Sequence, residues 1–125
     1  MLGNAKITTF VGTRDAARAT AFYRDVLGLK LVEESPFAVV FDSGGVMLRV
    51  TSVRELNPAP YTVLGWGVPD IAAAVRQLVS AGVTFSRFPG MTQDEDGVWA
   101  SPSGARVAWF ADPDGNVLSL TQFPA

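Results

Sequence analysis

The 125-residue sequence contains neither cysteine nor histidine. Without cysteine there is no disulfide, no thiolate nucleophile and no thiolate metal ligand. Without histidine the usual general base near neutral pH is missing, as is the commonest ligand for zinc, iron or nickel. An excess of one charge is also absent: acidic and basic residues are mixed along the chain, the formal charge is -2, and no basic stripe marks a surface for nucleic acid. No uninterrupted apolar run reaches the roughly 18 residues of a membrane span, and no basic-then-apolar segment reads as a signal peptide. The expectation is a cytoplasmic protein with no nucleic-acid partner and no membrane partner.

What is present is 48% apolar, enough for one good core in a chain of this length. The organising stretch runs from Val107 to Thr121, where two apolar segments flank Asp112-Pro113-Asp114-Gly115-Asn116. Proline fixes φ, the aspartates accept from turn amides and glycine takes a positive φ, so this reads as a hairpin. The stretch Val39 to Val50 echoes it. Aligning Asp42 with Asp112 puts Gly45 on Gly115, Leu48 on Leu118 and Arg49 on Ser119.

The same duplication runs through the rest of the chain. Lys6–Thr13 reads as a strand, Asp15 as the N-cap of a helix over 16–27 with Ala19, Phe22, Tyr23, Val26 and Leu27 on its apolar face, and Gly28 as its stop. Strands follow over 29–34, 37–42 and 46–52. After a polar stretch with Pro58 and Pro60, a strand over 61–68 leads to Asp70, a helix over 71–81 with Ile71, Val75 and Leu78 on its apolar face, and Gly82. Residues 83–87 are expected to resume the sheet and 97–101 to add a short strand before the hairpin. The result is an α+β fold of two βαβββ repeats in one domain, 1–125: repeat one about 5–53, linker 54–60, repeat two about 61–123. Each repeat should form a curved, mostly antiparallel sheet with its helix on one face and a cup on the other. The polar insert Pro89–Asp96 is expected to cover the cup's mouth.

Asp15, the run Ala21-Phe22-Tyr23-Arg24-Asp25-Val26-Leu27-Gly28-Leu29, Val68-Pro69-Asp70-Ile71 and Phe110-Ala111-Asp112-Pro113-Asp114-Gly115-Asn116 span both repeats. In these pieces the chain resembles the vicinal oxygen chelate superfamily, which holds glyoxalase I, bleomycin- and fosfomycin-resistance proteins and extradiol dioxygenases. In metal-dependent members of that group, a histidine on each repeat's first strand and a glutamate on the last strand commonly bind the ion. The resemblance places those positions at Thr8, Val63 and Ser119, none of which is a good divalent-metal ligand. It therefore implies a scaffold without the usual metal, cofactor or catalytic residues, suited to binding or sequestering a small organic molecule as bleomycin-resistance proteins do. The alternatives are a lyase, transferase or dioxygenase-like enzyme that uses carboxylates, Tyr23 or main-chain donors, and a non-catalytic interaction module. The resemblance also implies a homodimer.

Strand parity carries Thr8, Phe10 and Gly12 to the cup, with Met47, Arg49 and Thr51, then Val63, Gly65 and Gly67, then Val117, Ser119 and Thr121. Arg49 could hold an anionic group, or be a solvated or internally paired arginine. By the repeat alignment Arg49 and Ser119 should approach one cup from opposite halves, within a chain or across a dimer. Trp66 should point under the helix, whereas Trp99 and Trp109 are candidates to stack on a planar ligand. The ligand-binding candidates are thus Thr8, Phe10, Arg49, Val63, Trp99, Trp109 and Ser119. Asp94-Glu95-Asp96 lacks the spacing of a calcium loop and reads as a solvated turn, and Asp112 and Asp114 read as turn-builders rather than a catalytic pair.

Overall fold

The structure, a computed structural model, describes residues 1–125. Chain contacts divide it into two compact units, Met1–Asn57 and Pro58–Ala125, each holding one repeat. No helix is long and apolar enough to cross a membrane.

After a short 3-10 turn at Leu2–Asn4, the first unit holds β1 (Thr8–Thr13) and α1 (Ala16–Thr20), followed by β2 (Lys30–Glu34), β3 (Ala38–Ser43) and β4 (Val46–Ser52). Its sheet has the order β1-β4-β3-β2, with β1 parallel to β4 and the other pairs antiparallel. The Asp15 carboxylate accepts the Arg18 amide at 3.1 Å and starts α1 as expected. The helix predicted over 16–27 is α-helical only to Thr20 and continues as a π-helix over Ala21–Val26. The Leu27 N–H accordingly reaches back to the Phe22 carbonyl at 2.9 Å. This wider winding carries Tyr23 wholly into the core, its ring 5.9 Å from Phe41, while Phe22, Val26 and Leu27 are half-buried.

The second unit comprises β5 (Thr62–Gly67), α2 (Ile71–Ser80), β6 (Trp99–Ala100), β7 (Arg106–Ala111) and β8 (Val117–Gln122), in the sheet order β5-β8-β7-β6. Both repeats are therefore βαβββ. Asp70 accepts the Ala73 amide at 3.1 Å, and Gln122 reaches from β8 to accept the Ile71 amide at 2.9 Å, so two N–H groups without a helical partner at the start of α2 are satisfied. Ile71 and Val75 are buried beneath α2.

The strand expected over 83–87 does not form. Its place is taken by a looped segment whose backbone is bonded by a side chain: the Gln93 amide donates to the Ser86 and Gly97 carbonyls at 3.0 and 2.8 Å and accepts from the Phe88 N–H at 2.9 Å. With Gln93 satisfying these groups, the segment's backbone bond to the sheet is that of the Ser86 N–H to the Trp109 carbonyl at 2.7 Å, and Phe85 packs on Phe110 with ring centroids 5.3 Å apart. The sheet's edge strand is instead the two-residue β6.

The duplication read from the two turns recurs in the packing. Phe41 faces Leu48 across β3 and β4, and Phe110 faces Leu118 across β7 and β8. All four are buried on the helix side of their sheets. Asp112 builds the second turn as expected. One carboxylate oxygen accepts the Asp114 and Asn116 amides at 2.9 Å each, the other accepts from the Asn116 side chain at 2.8 Å, and Gly115 has φ 88°.

Candidate functional site

In a sheet with one face against a helix, the alternate residues stand on the face away from it. In the first unit those residues form rows across the ladder. Phe10, Arg49 and Val40 stand side by side, as do Thr8, Met47 and Asp42, and Gly12 with Thr51 and Ala38. Thr8 and Phe10 are exposed on this face. Arg49 is half-buried and makes no hydrogen bond or ion pair within the chain. A half-buried guanidinium without an internal partner keeps its five N–H donors available. Gly12 is less open than its neighbours, because Leu56 folds back to lie 3.0 Å from where its Cβ would be.

The second unit's open face is built differently. Its strand positions are Thr62, Gly65 and Gly67 on β5, Val117, Ser119 and Thr121 on β8, Val107, Trp109 and Ala111 on β7, and Trp99 on β6. None is charged. Val63, placed here by simple alternation, falls at a break in register. Thr62 pairs with Val117 and Leu64 with Leu118, so Val63 is an extra residue with no ladder partner, 40% exposed. Thr62 thereby gains a place on the same face as Ser119.

Trp109 uses that placement. Its indole N–H donates to the Thr62 hydroxyl at 3.1 Å. Because β8 lies between β7 and β5, a side chain joining those strands must cross β8, and the indole consequently lies over the Val117–Ser119 segment. Ser119 is only 7% exposed. Beside it in the ladder, Gly65 leaves room that a side chain would fill, since a Cβ there would stand 2.7 Å from Ser119 Oγ. Trp99 tilts against Trp109 with ring centroids 6.1 Å apart, and Phe88 meets Trp109 edge-on at 5.5 Å. Trp66 lies on the opposite face, stacked near Phe110, as its parity requires. Phe88 and Thr62 escaped sequence reasoning: Phe88 lies between the expected strand over 83–87 and the polar insert that follows, and Thr62 reaches the face only through the break in register.

Two further groups of charged residues brace the backbone or pair with each other. Asp94 Oδ1 accepts the Asp96 and Val98 amides at 2.9 Å each, Arg76 approaches Asp96 at 3.4 Å, and Arg87 donates to the Glu95 carbonyl at 2.8 Å, so the acidic run is a braced turn. Arg24 and Asp25 pair at 2.8 Å on the exposed side of the π-helix, where the hydrogen bond from Arg24 holds Asp25 below the usual carboxylate range.

The signature of the Glyoxalase/Bleomycin resistance protein/Dioxygenase superfamily matches residues 7–120, and the chain belongs to that superfamily. A search of curated proteins gives no match. Among solved structures the chain is similar to a bleomycin resistance determinant encoded on the transposon Tn5, with 24% identity, TM-score 0.76, and coverage of 98% of this chain and 100% of that one. It is also similar to TnmS3, an antibiotic-binding protein from Streptomyces (23%, TM-score 0.75, 99% of each chain), and to a lactoylglutathione lyase from Agrobacterium tumefaciens (20%, TM-score 0.73, 95% and 93%). At these identities the likeness shows a shared fold.

The metal that some members of the superfamily carry does not suit the residues present. Thr8, Val63 and Ser119 offer two neutral hydroxyls and an aliphatic side chain, with Ser119 under an indole, and no three His, Cys, Asp or Glu side chains converge to hold an ion.

Proposed function

We propose that the protein binds and sequesters a small organic molecule with a flat aromatic surface, without a metal and without turning it over. The observation that supports this reading is the uncharged face of the second unit, where Trp99 and Trp109 lie ring against ring and Trp109 is fixed by Thr62. Indoles held in place present a broad apolar surface at little cost in side-chain entropy, and a planar partner gains dispersion and hydrophobic contact there. The Thr121 hydroxyl, half-buried on the same face, suits a polar substituent. Arg49, on the first unit's open face, favours anionic compounds. The similarity to an antibiotic-binding protein and a bleomycin resistance determinant points the same way.

The reading is tested by following tryptophan fluorescence during titration with 2-naphthol, 2-naphthoate, glycopeptides and aliphatic carboxylates. Saturable quenching by the planar compounds, with their recovery unchanged after incubation, is expected. Turnover of any of them, or no saturation by any, defeats it. The enzymatic alternative draws no support from Tyr23, which is fully buried on the helix side of its sheet.

The same reading includes a homodimer. β1 and β5 are edge strands of their sheets, and Ile7, Phe10, Phe37 and Tyr61 are more than half exposed, a combination commonly covered by a second copy. Light scattering should give twice the 13.3 kDa of one chain; the mass of a single chain at micromolar concentration overturns it.

A further inference from the structure

Building on the proposed aromatic binding face, we infer that Thr62 is a positioning residue: through the break in register at Val63 it sets the plane of Trp109 and so the orientation in which a planar ligand is held. Three features carry the inference. The first is backbone geometry. β5 gains one residue against β8 between Thr62 and Leu64, and only with that extra residue do Thr62 and Ser119 share a face while Leu64 and Leu118 stay on the helix side. A regular ladder would pair Val63, which has no polar group, with Val117.

The second is the hydrogen bond itself. The indole N–H is a donor with no acceptor function, and it meets the Thr62 hydroxyl at 3.1 Å from two strands away. An indole attached only at its Cβ has rotamers that point it along the strand or out of the face. The bond to β5 selects the one that lies across β8. The third is the surroundings. Phe88 stands nearly perpendicular to Trp109, at 89°, and Trp99 is tilted by 38°. The Trp109 plane therefore determines how far the three rings form one continuous surface. Phe88 is itself held by Gln93, whose side-chain oxygen accepts its N–H. Thr62 thus bonds the Trp109 ring directly, while Gln93 anchors the backbone from which the adjoining Phe88 ring projects.

The test compares full-length Thr62→Val, which keeps the shape and removes the acceptor, with Thr62→Ser, which restores it. Two readouts are used: the indole N–H resonance of Trp109, assigned by its loss in Trp109→Phe, and the affinity for 2-naphthol. The expected result is a slowly exchanging indole N–H in the wild type and Thr62→Ser, fast exchange in Thr62→Val, and a 3- to 10-fold weaker affinity in Thr62→Val alone. Urea unfolding of both variants keeps a general loss of stability separate from loss of orientation. Fast indole exchange in the wild type overturns the inference at the hydrogen bond. An altered resonance with unchanged affinity overturns the positioning role while leaving the binding face intact. A wild type that keeps the protected indole but binds no planar compound defeats the proposed function, and the positioning role with it.

Discussion

Gly65 and Ser119 stand directly opposite each other in the parallel β5–β8 ladder, so close that a Cβ on Gly65 would lie 2.7 Å from Ser119 Oγ and 3.3 Å from the Ser119 carbonyl. Ser119 is thus enclosed between a glycine that makes room for it and a tryptophan that roofs it.

Gly65→Ala should destabilise the protein by about 1–3 kcal/mol, because the added Cβ presses on both the hydroxyl and the backbone carbonyl of Ser119. Ser119→Ala should recover part of that loss, because it removes the nearer of the two clashing atoms and leaves the carbonyl. Urea titration of the two single variants and the double variant measures the coupling. Equal stability of Gly65→Ala and the wild type would show that the ladder yields there.

Ser119→Glu restores the acidic residue expected of a metal-dependent relative but not a metal site. The carboxylate would enter a nearly closed space on a sheet face that carries no charged residue, in a chain without histidine. It should cost about 3 kcal/mol or more in stability, as an uncompensated buried charge does. Calorimetric titration with zinc, nickel and manganese should show no stoichiometric binding; a tight 1:1 complex would contradict the account of the donor set.

Arg49→Ala should weaken binding of an anionic compound such as 2-naphthoate by about 1.5–3 kcal/mol, the scale of hydrogen bonds to a charged group, and leave 2-naphthol affinity and the unfolding midpoint nearly unchanged. The chain has neither histidine nor cysteine, so no ordinary side-chain titration falls between about pH 6 and 8. Naphthoate affinity should be flat across that interval, and a step there would indicate a group other than Arg49.

Trp99→Ala and Trp109→Ala should each weaken 2-naphthol binding by about 0.5–1.5 kcal/mol beyond the loss of buried area, while Trp66→Phe, on the helix side, should not. If Trp66→Phe were the damaging change, the ligand would be binding on the wrong face of the sheet.

Asp112→Ala should lower stability by about 2–3 kcal/mol, because two backbone amides and the Asn116 side chain lose a charged acceptor in a buried turn. Asp42→Ala, at the aligned place in the first repeat, should cost less than about 1 kcal/mol, since its turn carries two positive-φ glycines and depends less on a carboxylate. Chemical denaturation ranks the two, and the reverse order would break the account of the turns.

The sequence by itself determined the features that depend on near neighbours. Asp15 and Asp70 cap helices because their carboxylates reach amides three residues on, Asp112 folds its own turn, and Phe41–Leu48 and Phe110–Leu118 follow from two-residue periodicity on either side of tight turns. The missing imidazoles and thiolates were equally plain, since absent chemistry needs no coordinates. Tertiary structure decided whatever turned on competition between distant partners. Residues 83–87 have the composition of a strand, yet Gln93 takes hydrogen-bonding groups that a strand would have offered to its neighbour. Alternation along β5 placed Val63 in the ladder, and pairing with β8 passed it over in favour of Thr62. A one-residue change of register costs little in local geometry and reverses which side chains share a face. The bond between Trp109 and Thr62, 47 residues apart, could therefore appear only once the strands had been paired.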